Sequence, residues 1–197
     1  MKSRAVFALA AAATLAGCGI NSIPTSEENV NARWADVQAD YQRRADLIPN
    51  LVATVKGSVS AEDKVLTDVI SARAKATSVT VNAGDLSDPA KMAQYQAAQG
   101  QLNGSLSRLL ATVEAYPDVK SQTNFQTLMS QLEGTENRVT IAIRDYNTAV
   151  QSYNTTIRTF PDAIGAKIFY GAKPKVPYQA TTPGAENAPS VNFGNGF

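Results

Sequence analysis

The sequence predicts an all-α protein: an up-down-up-down four-helix bundle followed by an extended C-terminal tail. Three observations carry that expectation. Apolar residues return at alternating steps of three and four through most of the stretch between positions 30 and 160. Breaker clusters at Gly57, at residues 82–89 and at Pro117 cut that stretch into four helices. From Gly171 onward the helical period ends, and prolines and glycines take over.

The chain opens with a leader. Lys2 and Arg4 form a positive n-region, and residues 5–16 are an apolar stretch of signal-peptide length. That stretch is too short for a permanent span, which needs about 20 apolar residues. It ends in Leu15-Ala16-Gly17-Cys18, which resembles the bacterial lipobox, and Cys18 is the only cysteine in the chain. The expectation is a lipoprotein signal peptide over residues 1–17, removed so that Cys18 carries acyl chains such as palmitate. Each buried methylene contributes ~0.8 kcal/mol, so two or more acyl chains hold a protein durably at a membrane. Gly19 in place of aspartate favours, by resemblance to Gram-negative sorting signals, the outer membrane if the source is Gram-negative.

Residues 18–26 read as a polar tether, with Thr25 or Ser26 as a cap and Glu27 and Glu28 in the first turn, where the helix dipole favours acids. The bundle then occupies residues 27–170. Its first seam is Val30, Trp34, Val37, Tyr41, Ile48, Leu51 and Val55, with Arg44 breaking the pattern and Pro49 set to kink the helix. Gly57 suits a helix stop, and Ser60 followed by Glu62 and Asp63 suits a start, although one long bent rod is the alternative. The second helix presents Leu66, Val69 and Ala76. Ser87 or Asp88 caps the third, with Pro89 at its first position, and its seam is Met92, Tyr95, Leu102, Leu106, Leu109, Val113 and Tyr116. The fourth carries Phe125, Leu128, Leu132, Val139, Ile143, Tyr146, Val150, Tyr153, Ile157 and Phe160. The tail, residues 171–197, reads as loosely attached, with Tyr178, Phe193 and Phe197 as the side chains able to dock.

Composition excludes several kinds of chemistry. The sequence has no histidine and one cysteine. An internal disulfide is therefore impossible, and zinc, copper and di-iron sites lose their usual donors. Ser-His-Asp and Cys-His catalysis lack the base. No carboxylate pair is singled out by spacing for hydrolysis. The expectation is a non-enzyme without cofactor or metal. Eighteen basic side chains, two of them in the leader, stand against 17 acidic ones, which speaks against nucleic acid as a partner.

The seams are interrupted by Arg44, Gln99 and Glu136, and Arg73 takes the same place on the second helix. Arg44 lies 13 residues from Gly57 and Arg73 13 from Ser60, while Gln99 lies 18 and Glu136 19 from Pro117. At ~1.5 Å per residue all four fall within about 10 Å of one level. The expectation is a polar layer in which Glu136 accepts from Arg44, Arg73 or both. Such layers commonly fix helix register, and an excess of arginine over carboxylate also suits a small anion. Tyr146-Asn147 and Tyr153-Asn154 repeat seven apart on one face. Core tyrosines with satisfied hydroxyls are the default for them, and an exposed ladder for glycan or peptide is the alternative.

The chain resembles the LemA family of bacterial envelope proteins. The resemblance rests on residues 43–52 (RRADLIPNLV), Val55-Lys56-Gly57 and Ala72-Arg73-Ala74. It resumes at Thr135-Glu136-Asn137, Arg144-Asp145-Tyr146-Asn147, Tyr153-Asn154 and Phe160-Pro161. It implies a helical bundle held at a membrane through its N-terminus, with no enzymatic activity to carry over. Many members use a transmembrane segment there, so a lipobox changes the anchor and keeps the location. The expected function is a membrane-anchored lipoprotein acting as a non-enzymatic envelope scaffold or adaptor for another envelope protein. The alternative is a binding module for a small anionic ligand or cell-wall fragment.

Overall fold

The computed structural model describes residues 21–56 and 63–179, which are helical apart from short links and a terminal extended segment, with no strand among them. The leader, Cys18, the stop and start at Gly57 and Ser60, and Phe193 and Phe197 lie outside the described residues.

Helix α1 spans Ser22–Lys56, and its buried face holds every apolar member of the predicted seam, with Arg44 in the gap. It begins before the predicted cap. The tether expected over residues 18–26 is helical from Ser22, so Glu27 and Glu28 fall beyond the first turn. Ile23 explains the early start: it is buried, with its Cδ1 beside the backbone of Gly165. Pro24 lies in the first turn, where a missing N–H costs nothing. The Thr25 hydroxyl donates back to the Asn21 carbonyl at 2.8 Å rather than capping forward.

Helix α2 (Asp63–Ser78) folds back along α1. Arg73 reaches Ala45, and Val81, just past α2, accepts from Trp34 Nε1 at 2.8 Å. These contacts pair rising with falling residue numbers, so the two helices are separate and antiparallel, and the single-rod alternative is excluded. A 3-10 turn over Ala83–Ser87 leads to α3 (Pro89–Val113). Asp88 is the cap, accepting from the backbone N–H of Ala90 at 2.9 Å, and Pro89 opens the helix as the spacing predicts. Gln99 Nε2 on α3 donates to the Ala76 carbonyl on α2 at 3.2 Å.

A single turn, α4 (Pro117–Lys120), leads into α5 (Thr123–Thr156), which packs along the whole of α1. Their direction is again antiparallel, since Trp34 meets Tyr146 while Arg44 meets Glu136. The chain finishes in a turn, α6 (Asp162–Gly165), a π-helical turn over Ala166–Tyr170 and the segment 171–179. Phe160 corrects its place in the fourth seam. Helix α5 ends at Thr156, the period ends with it, and Phe160 stands 82% exposed.

The core divides into two clusters. One is aromatic, built around Trp34, Tyr41, Tyr95, Tyr146, Tyr153 and Tyr178. The other is aliphatic, with Ile48, Leu51, Leu66, Leu102, Leu109 and Phe125 among its members. Along α1, Arg44 falls between Tyr41 of the first and Ile48 of the second. Gln99 falls at the same boundary on α3 and Glu136 on α5.

Residues 171–179 are not loosely attached. They lie extended against α5, held by paired hydrogen bonds. Asn154 donates to the Lys175 carbonyl at 2.9 Å and accepts from the Lys175 N–H at 2.8 Å. Asn147 does the same for Tyr178, at 2.9 and 2.8 Å. The match is metric. Two helical turns advance about 10.5 Å, and three extended residues advance about 10 Å. Between the two clamps, Tyr146 donates to the Val176 carbonyl at 2.8 Å, and the Val176 N–H reaches Leu86 at 2.8 Å.

Candidate functional site

Arg44 is delivered to the boundary between the clusters by the step in the α1 seam that lacks an apolar residue. Its side chain is 4% exposed, and Nη1 lies 2.7 Å from Glu136 Oε2, whose side chain is 50% exposed. The guanidinium sits 4.9 Å above the Tyr41 ring, a cation–π contact that desolvation strengthens. Arg44 Nε has no hydrogen-bond partner among the described residues. The pair is thus asymmetric, a dry cation and a wet anion.

Arg73 does not join that pair. Pro49 has no N–H, so the Ala45 carbonyl four residues earlier loses its helical donor. Arg73 Nε supplies one from α2 at 2.8 Å. Gln99, 6% exposed, spends its Nε2 on Ala76, and its Oε1 has no hydrogen-bond partner within bonding geometry among the described residues, beside a recess of about 100 Å³ lined also by Gln38 and Tyr95. Of the four predicted layer residues, the structure brings Arg44 and Glu136 into contact and commits Arg73 and Gln99 to carbonyls. Cys18 lies outside the described residues.

The salt bridge lines the end of a groove of about 1040 Å³ between α3 and α5, closed at its far end by α4. Leu106, Leu110, Val113, Phe125, Met129 and Leu132 give it an apolar surface, with Glu114, Lys120 and Glu133 among its polar residues. Glu114 and Lys120 are salt-bridged to each other. The sequence reading missed this groove. Leu110 and Met129 flank their seams rather than lie in them, and only half-burial distinguishes such positions.

In the other half of the bundle, beyond Arg44, the aromatic cluster holds its phenols protonated. Tyr41 and Tyr178 share a hydroxyl–hydroxyl hydrogen bond of 2.6 Å. Burial raises Tyr41, Tyr95, Tyr146 and Tyr178 above the ordinary phenol value, and burial followed by the nearby Glu27 carboxylate pushes Tyr153 up to about 12. Lys175, 7% exposed, is neutralised by Glu27 at 2.7 Å and lies 5.7 Å from the Tyr153 ring centroid.

These features define an all-helical domain with a polar waist, an apolar groove on one side and a clamped peptide on the other. No described helix is long and apolar enough to cross a membrane. Residues 33–193 match the LemA family, and the chain belongs to it. Among its relatives, magnetosome protein MamQ 2 of Paramagnetospirillum magneticum is 25% identical over 158 residues, covering 72% of this chain and 58% of that protein. Magnetosome protein MamQ of Magnetospirillum gryphiswaldense is 24% identical over the same shares. Protein LemA of Metamycoplasma hominis is 23% identical over 141 residues, 71% of this chain and 60% of that protein. The chain therefore spans less than two thirds of the length of each of these relatives.

Proposed function

We propose that this chain is a lipid-anchored, non-enzymatic envelope adaptor whose α3/α5 groove receives an apolar segment of another envelope protein. The groove is the observation that carries the reading. Taken as a cylinder ~10 Å across, its volume accommodates about two and a half turns of helix. The absence of histidine and the single cysteine support a non-enzymatic role. Membership in the LemA family supports attachment to a membrane. The four long helices fit an up-down-up-down bundle, with the contacts along α1/α2, α2/α3 and α1/α5 in its support. Cys18 is the proposed anchor, at the outer membrane if the source is Gram-negative.

The test is a photo-crosslinking residue at Met129 in growing cells. The expected result is one reproducible envelope-protein adduct that Leu110→Glu, at a half-buried groove position, abolishes without loss of melting temperature. Adducts that are absent, or that ignore Leu110→Glu, count against the adaptor. The intact mass of membrane-extracted protein, with acyl mass lost in Cys18→Ala, tests the anchor separately.

The second reading, a small anionic ligand at Arg44 and Arg73, draws support from the unpartnered Arg44 Nε at the groove. It is weaker, because Glu136 already balances Arg44, and Arg73 is committed to the Ala45 carbonyl.

A further inference from the structure

Exposed large apolar side chains concentrate at one end of the molecule. Phe160, Ile164, Ile168 and Phe169 are 82%, 54%, 69% and 69% exposed, within ten consecutive residues of the turn that follows α5. Ile164 and Ile168 are one turn apart, and so share a face. Three exposed basic residues, Arg158, Lys167 and Lys173, accompany them within residues 158–173, against one acid, Asp162, with exposed Glu28 in the second turn of α1. An apolar tip within a basic collar is the surface that an anionic bilayer interface fits.

The position of this tip says what covers it. Gly165 lies against Ile23, so the turn packs beside the beginning of α1. Cys18 precedes Ser22 by four residues, and four residues reach at most about 14 Å even when fully extended. An acyl chain on Cys18 therefore brings the bilayer to this end of the bundle and to no other. The groove begins at Arg44, about 33 Å along α1 from Ser22, and runs from there toward the opposite end of the bundle.

We infer that Phe160, Ile164, Ile168 and Phe169 form a wedge that enters the bilayer interface, with Arg158, Lys167 and Lys173 on lipid headgroups. The orientation rests on the anchor reading of Cys18, whereas the wedge itself is defined by the described surface. Together they stand the bundle upright on the membrane and hold the α3/α5 groove clear of the lipid.

The experiment uses the chain from position 18 onward carrying Cys18→Ala, so that no acyl chain contributes. Vesicles of phosphatidylcholine with phosphatidylglycerol are the probe, with and without brominated acyl chains. Phe169→Trp in that chain is the depth reporter, read as the difference from the parent, in which Trp34 is buried. The wedge predicts co-sedimentation with the vesicles and bromine quenching of the added indole. It also predicts binding at least about tenfold weaker in a Phe160→Ser, Ile168→Ser, Phe169→Ser variant. Unchanged melting of that variant is expected, since all three side chains are exposed. No vesicle binding, binding that the triple variant retains, or patch-dependent self-association in place of lipid binding would overturn the wedge. Unacylated protein from cells together with vesicle binding would remove the anchor and leave the wedge standing. Acylated protein with no patch-dependent binding would do the reverse.

Discussion

Glu136 can be lost more cheaply than a buried partner could be. Half of its side chain is in water, and an amide in its place still accepts from the dry Arg44 guanidinium while its outer side stays solvated. Glu136→Gln is expected to cost about 1 kcal/mol or less in a urea melt, and a loss of 3 kcal/mol or more would mean that water does not reach the pair. Arg73 gives a sharper case. Its hydrogen bond to Ala45 matters because Pro49 leaves that carbonyl without a donor, so the two residues should be coupled. Arg73→Ala is expected to cost about 1–2 kcal/mol in the parent, and at least ~0.5 kcal/mol less beside Pro49→Ala, whose new N–H satisfies the same carbonyl. Additive costs in that double-mutant cycle would show that Arg73 acts elsewhere. The sequence displayed both residues, but not their relation. Proline's missing N–H is legible from one letter, whereas the identity of the replacement donor depends on how α2 folds back.

At the scale of elements, α5 does two jobs on two faces. Its seam residues Leu132, Val139 and Tyr146 fill the core, while Asn147 and Asn154 on its flank hold residues 175 and 178. The seam was legible because burial demands an apolar residue at every third or fourth place. The clamp was not, because an asparagine that pairs with a distant backbone looks the same in sequence as one that faces water. The spacing of seven was visible, but its partner was a segment whose prolines read as a free tail. Phe160 erred the opposite way, an apolar residue in period with a helix that had already ended. The clamp makes a local prediction. Asn154→Ala should abolish hydrogen-exchange protection of the Lys175 amide while that of Tyr178 persists, at a cost of about 1–2 kcal/mol. Equal loss at both amides would mean that the segment docks as one unit rather than through separate clamps.

At the scale of the molecule, the aromatic half of the core sets an alkaline limit. Tyr41, Tyr95, Tyr146, Tyr153 and Tyr178 all bind their phenolic protons more tightly folded than free, chiefly because burial disfavours the phenolate. Below the ordinary phenol value of about 10, both folded and unfolded chains keep these protons, and the full stability is present. Above it, the unfolded chain sheds protons that the fold retains, so stability falls as pH climbs through the folded values. Each such phenol removes about 1.4 kcal/mol per pH unit, and five together remove up to ~7. Against a typical total of ~5–15 kcal/mol, the fold should unfold cooperatively within about two pH units above 10. The phenolate absorbance of these five of the chain's seven tyrosines should rise in step with the loss of helical circular dichroism, because these rings ionise only when released. Tyr178→Phe should make the pH dependence shallower, since one of the five protons is gone, and it should also free the Tyr41 hydroxyl from its 2.6 Å partner. Absorbance of all seven tyrosines reached while the helix signal stays intact would show that water reaches the cluster's rings in the folded state.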